Sequence, residues 1–173
     1  MASALKNLSD YNTDNMPDAS EMCFGIVVSD YHNDITYPLY EGAYDTLIKH
    51  GAKAENIHIM QVPGAFELTA GARMMVNKHK ADAVICLGCV ITGETPHNEY
   101  INMSVAQGLT NLSVATGRAF LFGLLTPNTH QQALDRAGGK HGNKGIEAAQ
   151  SAIRMAALRK ESGANGKKSI GFG

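Results

Sequence analysis

The sequence predicts an α/β fold, in the form of a single-domain, three-layer αβα sandwich with a four-stranded parallel sheet. Four short apolar runs recur along the 173 residues, and each has the length of one buried strand. Segments with apolar residues three or four positions apart follow these runs, which is typical of amphipathic helices. Strands that alternate with helices favour parallel pairing with right-handed crossovers.

The first half of the chain supplies two strand–helix units. Residues 23–29 and 57–62 are the first two apolar runs. A polar loop follows the first run, and then a helix is predicted at about 38–50, with Gly51 as its C-terminal stop. A second helix follows the turn at 63–64, with Glu67 in its first turn, where a carboxylate is favourable.

The segment 83–100 is the centre of the predicted site. An apolar strand at 83–91 leads into a polar hinge, and a helix then continues to about residue 116. Thr95 is a good N-cap, and Pro96 suits the first helical position. His97 then lies in the first turn, beside unpaired backbone N–H groups and the positive end of the helix dipole. An imidazole beside an anion site suggests acid–base chemistry on a phosphorylated or carboxylated substrate.

The last third of the chain is predicted to hold one more strand and two helices. Residues 119–125 form the fourth apolar run. Either Asn128 or Thr129 can cap a short helix at 131–137. The final helix, at about 145–159, has an apolar stripe and follows a glycine-rich basic loop at 138–145.

The basic loop gives a second candidate site. Arg136, Lys140, His141 and Lys144 combine cations with glycines, which let backbone amides approach an oxyanion or phosphate. A flexible surface loop would have the same composition. The segment is not a Walker A loop, because it lacks a Gly-Lys-Ser/Thr sequence.

The chain ends are predicted to lie outside the domain at 23–160. Residues 1–22 are polar and aperiodic, so we expect an arm that is either disordered or held by a neighbouring subunit. Residues 161–173, rich in Gly, Lys and Ser, are expected to form a mobile tail.

Composition excludes several classes of function. An apolar content of 44%, a charged content of 18% and a net charge of −1 are typical of a globular protein and argue against a nucleic-acid surface. No apolar segment reaches the length of a membrane span, and the N-terminus lacks a signal-peptide pattern. The odd number of cysteines, three, fits a reducing cytoplasm.

Several further side chains allow two interpretations. Tyr31 and Phe122 could stack on a planar ligand, although Phe122 lies within a strand and is by default a core residue. Glu67 could bind a hydroxyl or ring N–H, or simply compensate the helix dipole. Cys86 and Cys89 have the spacing of a redox pair, but residues three apart in a strand point to opposite faces, so two buried thiols are expected. The histidines show no metal-ligand spacing, so no metal is expected.

Four motifs in this order and spacing closely resemble the lumazine synthase family of riboflavin biosynthesis. They are the segments 62–67, 88–97, 122–126 and 136–145, and the likeness covers about 24–158. The resemblance implies a flavodoxin-like topology and a transferase that needs neither cofactor nor metal. The implied reaction joins 5-amino-6-(D-ribitylamino)uracil to 3,4-dihydroxy-2-butanone 4-phosphate, giving 6,7-dimethyl-8-ribityllumazine, phosphate and water.

The same resemblance implies roles for individual residues. His97 matches the proton-transferring histidine of the family. Tyr31 matches an aromatic residue stacked on the pyrimidine, and Phe122 matches a substrate contact given by the adjacent subunit. The stretches that hold the ribityl chain and the pyrimidine ring correspond here to Ala65, Phe66, Glu67, Cys89, Val90 and Ile91. The phosphate contacts correspond to Glu94, Thr95, Arg136 and Lys144.

Some positions depart from the family pattern, and these departures bear on affinity more than on reaction type. Asp30 and His32 flank Tyr31 where an arginine and an asparagine are common, Cys89 replaces a frequent threonine, and Pro96 replaces a threonine or small residue.

The resemblance also implies partners. Members of the family bind small-molecule substrates and form homopentamers with sites between neighbouring subunits, and some pentamers assemble into icosahedral shells. The short segment 137–145 is like that of the shell-forming members, so a shell is expected here. Riboflavin synthase is a candidate partner, whereas nucleic acid and membranes are not expected as partners.

The same residues bear on two alternative functions. A non-catalytic lumazine- or flavin-binding protein on the same fold would not require both His97 and Arg136. A flavodoxin or receiver-type signalling protein would carry a hydroxyl- and glycine-rich phosphate loop, or an acidic cluster with a distal lysine, and this sequence has neither.

Overall fold

Four strands form a parallel sheet in the order β2-β1-β3-β4, which confirms the predicted fold class. They are β1 (Phe24–Ser29), β2 (Ile57–Val62), β3 (Ala83–Cys89) and β4 (Ala119–Leu125). The central strands β1 and β3 are buried along their whole length because helices cover both faces of the sheet. The structure is a computed structural model that describes Asn7, Ser9, Asp10 and residues 15–165.

The described residues include five α-helices. They are α1 (Asn33–Lys49), α2 (Leu68–His79), α3 (His97–Thr116), α4 (His130–Arg136) and α5 (Lys144–Asn165). Helices α1 and α5 pack on one face of the sheet, around Ile26 and Ile153. Helices α2 and α3 pack on the other face, around Val27 and Met75. Neighbouring residues of β1 thus point into opposite cores, as the two-residue period of a strand requires.

Helix α1 begins at Asn33, earlier than the predicted start near residue 38. The buried residues Ile35 and Thr36 continue the apolar stripe back toward the N-terminus. Pro38 misled the prediction because proline is common at the first position of a helix, whereas here it lies in the second turn. The N-cap residue His32 has a left-handed backbone conformation, with φ of 59°.

Helix α3, in contrast, begins one residue later than predicted. Pro96 occupies the N-cap position and His97 is the first helical residue, so Thr95 is not the N-cap. The expected capping role of Thr95 is therefore wrong. Thr129, in contrast, caps α4 as one of the two predicted alternatives, because its Oγ1 accepts a hydrogen bond from the Gln132 N–H.

The segment 138–145 is not an open loop. Strands β5 (Ala137–Gly139) and β6 (Gly142–Asn143) pair in an antiparallel manner, and α5 begins at Lys144. Asn143 fastens this small hairpin to α1, since its Nδ2 donates a hydrogen bond to the Pro38 carbonyl at 2.8 Å. The predicted phosphate-binding lysine thus lies on a helix that is fixed to the core.

The ends of the chain differ in part from the prediction. Ala19 and Met22, in the predicted arm, are buried in the same core as α1 and α5, and the Ala19 N–H donates to the His50 carbonyl. Helix α5 continues to Asn165, beyond the predicted end at Arg159. Residues 1–6, 8 and 11–14 of the predicted arm and 166–173 of the predicted tail lie outside the described residues.

Candidate active site

The carboxyl ends of the four strands gather the predicted site loops at one edge of the sheet. The strands end at Ser29, Val62, Cys89 and Leu125. Backbone pairing continues past these ends, because the Asp30 N–H donates to the Val62 carbonyl and the Val90 N–H to the Leu125 carbonyl, both at 2.9 Å. In parallel α/β sheets this edge is where ligands bind.

Tyr31 and Glu67 meet at Gly64, at the edge between β1 and β2. A Cβ atom at Gly64 would lie 3.0 Å from Glu67 Oε2 and 3.8 Å from Tyr31 Cδ2, so both side chains rest against this glycine. The Tyr31 side chain is 68% exposed. An open aromatic ring next to a carboxylate suits a planar heterocycle that carries N–H or hydroxyl donors.

The other residues predicted to bind the pyrimidine and the ribityl chain follow β2 and β3. Ala65 is buried and Phe66 is exposed, both in a 3₁₀ turn at Ala65–Glu67 that leads directly into α2. Cys89 ends β3, and the partly buried Val90 and Ile91 continue along the chain. Because β1 lies between β2 and β3, the Tyr31 loop lies between these two segments.

Cys86 and Cys89 are free, buried thiols on opposite faces of β3, which confirms the prediction. Burial raises the pKa of the Cys86 thiol far above its ordinary value. Burial and, to a smaller extent, the nearby negative charge of Asp34 raise the pKa of the Cys89 thiol to about 11. Both thiols therefore stay protonated near neutral pH, where the thiolate is the reactive form.

His97 is exposed at the first position of α3. The Pro96 carbonyl accepts hydrogen bonds from the N–H groups of Glu99 and Tyr100, at 3.0 and 3.4 Å. Among the residues that the structure describes, no side chain caps this helix start. The first amides of α3 are therefore available to an anion at the positive end of the helix dipole. Glu94 and Thr95 lie exposed in the hinge just before it.

A hydrogen-bond cluster that the sequence did not reveal ties this hinge to the loop after β4. The Thr92 N–H donates to the Pro127 carbonyl at 3.0 Å, and Thr92 Oγ1 donates to Asn128 Oδ1 at 3.1 Å. Asn98 Nδ2, in the first turn of α3, makes a longer contact of 3.5 Å with Thr92 Oγ1. The position of His97 is thus coupled to the end of β4.

Arg136 and Lys144 come together around a carboxylate that sequence reasoning missed. Arg136 Nη2 lies 2.6 Å from Glu147 Oε1, and Lys144 Nζ lies 3.1 Å from Glu147 Oε2. Arg136 Nη1 also donates to the His141 carbonyl at 2.6 Å. The three-residue spacing from Lys144 to Glu147 on a helix was an available signal for the second ion pair. The ion pair between Arg136 and Glu147 depends on the hairpin at 137–143, which the sequence did not predict.

The cation pair lies beside the end of β4. Arg136, Lys140 and Lys144 line a cleft of about 500 Å³ together with Asp135 and residues 124–127. The hinge before His97 docks on the same segment through Pro127. The structure therefore shows three groups along this edge: Tyr31 with Glu67 at the ends of β1 and β2, the hinge before His97 joined to the loop after β4, and the cations beside the end of β4.

Phe122 is not a core residue, although its place in a strand favoured that interpretation. It lies in the middle of the edge strand β4, belongs to neither apolar cluster and is 37% exposed. An exposed aromatic side chain on an edge strand is available to a ligand or to a neighbouring chain.

A second pair that the sequence did not reveal joins α1 to α4. His130 Nε2 lies 2.7 Å from Asp34 Oδ2, and both side chains are about half exposed. Asp34 also borders a cleft of about 660 Å³ between α1 and β2, along with Asp30, Tyr37 and Gln61. None of the residues predicted for the site lines this larger cleft.

Two other kinds of feature are absent from the part of the chain that the structure describes. Within residues 15–165 and the three described positions before them, no group of three His, Cys, Asp or Glu side chains could hold a metal ion. None of the described helices has both the length and the apolar character needed to cross a membrane.

Comparison with known proteins identifies the family. Residues 21–160 match the family model described as 6,7-dimethyl-8-ribityllumazine synthase. The chain is 54% identical over 155 residues to the 6,7-dimethyl-8-ribityllumazine synthase of Parabacteroides distasonis, covering 90% of this chain and 97% of that protein. It is 50% identical over 157 residues to the enzyme of the same name from Cytophaga hutchinsonii, covering 91% and 98%. The corresponding protein of Porphyromonas gingivalis is 48% identical over 160 residues, covering 92% and 99%.

The family model spans nearly all of the described residues and includes all four motifs, of which the segment 136–145 contains the basic hairpin. The chain therefore belongs to the 6,7-dimethyl-8-ribityllumazine synthase family.

Proposed function

We propose that this chain is the transferase that condenses 5-amino-6-(D-ribitylamino)uracil with 3,4-dihydroxy-2-butanone 4-phosphate. The products are 6,7-dimethyl-8-ribityllumazine, phosphate and water, in the penultimate step of riboflavin biosynthesis. Family membership over residues 21–160 is the observation that carries the proposal. The chemistry of the sheet edge supports it, because an aromatic ring, a carboxylate, an imidazole and a cation pair surround the strand ends.

The pyrimidine and its ribityl chain bind at the ends of β2, β1 and β3 in this proposal. Tyr31 stacks on the ring, and Glu67 accepts hydrogen bonds from ring N–H or ribityl hydroxyl groups. The segments Ala65–Glu67 and 89–91 form the walls. Support comes from the contact of Tyr31 and Glu67 with Gly64, which leaves an open ring beside a carboxylate.

His97 moves protons during imine formation, phosphate loss and ring closure. Its exposed position at the first turn of α3 lets it reach a bound substrate, and the hydrogen bonds of Thr92 hold the hinge that leads to it. Proton transfer by a placed imidazole contributes about 10²–10⁴-fold. Holding the amine close to the carbonyl accounts for much of the remaining acceleration, because effective molarities of about 10⁵ M or more are attainable.

The phosphate of the butanone substrate binds between the start of α3 and the cation pair. The hinge residues Glu94 and Thr95 contribute backbone and hydroxyl contacts, and Arg136 and Lys144 contribute positive charge. The uncapped amides of α3 and the cleft lined by both cations support this assignment.

The active form is proposed to be a homopentamer with each site shared between neighbours. Phe122 would then contact substrate bound to the adjacent subunit, which fits its exposure on the edge strand β4. Large apolar side chains on the outer face of α3, Tyr100, Met103 and Val114, are also exposed and would be covered by association. The short segment at 137–145 supports further assembly of pentamers into an icosahedral shell. Riboflavin synthase is proposed as a partner. Sedimentation that shows a pentamer alone across varied pH and phosphate would contradict the shell.

The three free thiols support the expected cytoplasmic location, because disulfides are rare in reducing compartments.

The test of function is an assay with purified protein and both substrates, following the fluorescence of the lumazine product. We expect turnover well above the spontaneous condensation. His97→Ala should lower kcat by about 10²-fold, near the low end for acid–base catalysis. Arg136→Ala should raise KM for the butanone phosphate by about 10–100-fold, as expected for charged hydrogen bonds worth about 1.5–3 kcal/mol.

Arg154→Ala is the matched control, since Arg154 is exposed on α5 and contacts Met16. It should leave kcat and KM for the butanone phosphate close to those of the unchanged chain. Lumazine binding without turnover above the spontaneous rate would instead indicate a binding protein on this fold.

A further inference from the structure

Glu147 holds both cations of the proposed phosphate site at once. Each of its carboxylate oxygens receives a different cation, Arg136 at Oε1 and Lys144 at Oε2. The Arg136 and Glu147 side chains are only 18% and 20% exposed, so solvent screens this pair less than it screens an ordinary surface ion pair.

The carboxylate lies beside the phosphate cleft but does not line it. Of these three residues, Arg136 and Lys144 line the cleft and Glu147 does not. Lys140, a third cation of the cleft, lies 3.6 Å from Asp135, which itself lines the cleft. Three cations thus face two carboxylates, and the region has a net charge of only +1.

We propose that Glu147 is an internal counter-ion that weakens phosphate binding at Arg136 and Lys144, so that the released phosphate leaves the site. This inference rests on the proposed function of the two cations. Inorganic phosphate is both a product and the leaving group of the bound substrate, so a site with uncompensated charge would retain it and be inhibited by it. A carboxylate that contacts both cations lowers the field at the cleft without occupying it.

The placement of Arg136 does not depend on Glu147 alone. Its Nη1 donates to the His141 carbonyl at 2.6 Å, which fixes the guanidinium from a second side. A glutamine at position 147 would keep the size of the side chain and one oxygen acceptor, and would remove the negative charge. The substitution Glu147→Gln therefore separates the effect of charge from the effect of positioning.

The experiment measures binding of inorganic phosphate by calorimetry and the steady-state constants for both substrates. We expect Glu147→Gln to tighten inorganic phosphate by about three- to tenfold, the range for removing one partly exposed charge near an anion. KM for the butanone phosphate should fall by a similar factor, and the tightening should shrink at high salt. KM for the ribitylaminouracil should change less than about twofold, since its proposed site lies at the ends of β2, β1 and β3, whereas the cations lie beside the end of β4.

Glu161→Gln is the matched control, because it removes the same charge from an exposed position on the same helix. At 1.5 Å per residue it lies about 21 Å farther along α5. Its phosphate affinity should equal that of the unchanged chain.

Two other outcomes would overturn the inference, and they differ in what else they overturn. If Glu147→Gln is folded and binds phosphate more weakly, Glu147 only orients the cations, and the proposed function is unaffected. If Arg136→Ala binds phosphate as tightly as the unchanged chain, the cations are not the phosphate site, and the site assignment fails together with the inference.

Discussion

Thr92 and Asn128 are joined by a hydrogen bond of 3.1 Å between Thr92 Oγ1 and Asn128 Oδ1. Thr92 opens the hinge that leads to His97, and Asn128 lies in the loop after β4. The bond therefore couples the proposed proton-transfer residue to the strand that borders the proposed phosphate cleft. Such coupling matters in an enzyme that relies on positioning, because small displacements of reacting groups cost rate.

The substitution Thr92→Val should lower kcat without unfolding the protein. Valine keeps the branched shape of threonine but removes the hydroxyl that bonds Asn128, and a neutral hydrogen bond is worth about 1 kcal/mol, or about fivefold in rate. Steady-state kinetics with both substrates would measure the change. Ser162→Ala is the control, since the exposed Ser162 hydroxyl donates to the Leu158 carbonyl within α5, away from the hinge and from α3. Equal kinetics for both variants would show that the hinge is fixed by other contacts.

Gly64→Ala should weaken binding of the pyrimidine substrate. The backbone of Gly64 has φ of −146°, which alanine adopts readily, so the effect is one of space. The added methyl group would lie 3.0 Å from Glu67 Oε2 and would push this carboxylate away from its place beside Tyr31. We expect KM for the ribitylaminouracil to rise about three- to tenfold, which corresponds to the loss of one hydrogen bond worth about 0.5–1.5 kcal/mol.

The KM for the butanone phosphate serves as the internal control for Gly64→Ala and should stay nearly constant. A rise in both constants would mean that the turn at 63–67 shapes the whole site and not the pyrimidine part alone.

The sequence predicts those parts of the fold and site that depend on neighbouring residues in one segment. It does not predict the parts that depend on contacts between distant segments. Strands β2 and β4 were predicted to the residue because both are apolar runs with turn residues at their ends. The predicted start of α1 is wrong because a proline such as Pro38 is typical of the first position of a helix. Only the burial of Ile35 in the folded chain shows that the helix begins earlier. The sequence does not predict the role of Glu147, because its ion pair with Arg136 joins two helices across a hairpin. The glycines of that hairpin favoured the prediction of a loop. The roles assigned to the site residues remain proposals.

Gly145→Ala should destabilise the fold through a contact between α1 and α5. A methyl group at Gly145 would overlap the Leu39 carbonyl oxygen, which is backbone within α1 and has little room to move. Overpacking of this kind costs about 1–3 kcal/mol in the free energy of unfolding. Urea denaturation at fixed protein concentration would measure it, because association also contributes to apparent stability.

Gly163→Ala is the matched control for this substitution, because no atom in the described part of the chain lies within 4 Å of the added atom and the position is helical. It should leave stability unchanged or raise it by up to about 1 kcal/mol. A Gly145→Ala variant as stable as Gly163→Ala would show that the two helices separate at no cost.

The stacked imidazoles of His58 and His79 should make stability depend on pH. Their ring centroids lie 3.8 Å apart, and burial, the charge of His58 and that of Lys78 lower the pKa of His79 below 6.5. The folded state therefore favours the neutral ring, so its contribution is complete above about pH 6.5 and is lost as the pH falls through the lowered pKa. The urea midpoint should stay constant from about pH 7.5 to about pH 6.5 and should drop as the pH is lowered further, below the ordinary histidine pKa. His79→Gln should reduce that drop, whereas Asn77→Gln, on the same helix and without a charge change, should retain it. An unchanged pH dependence in His79→Gln would place the responsible titration elsewhere, because a neutral glutamine cannot be protonated beside His58.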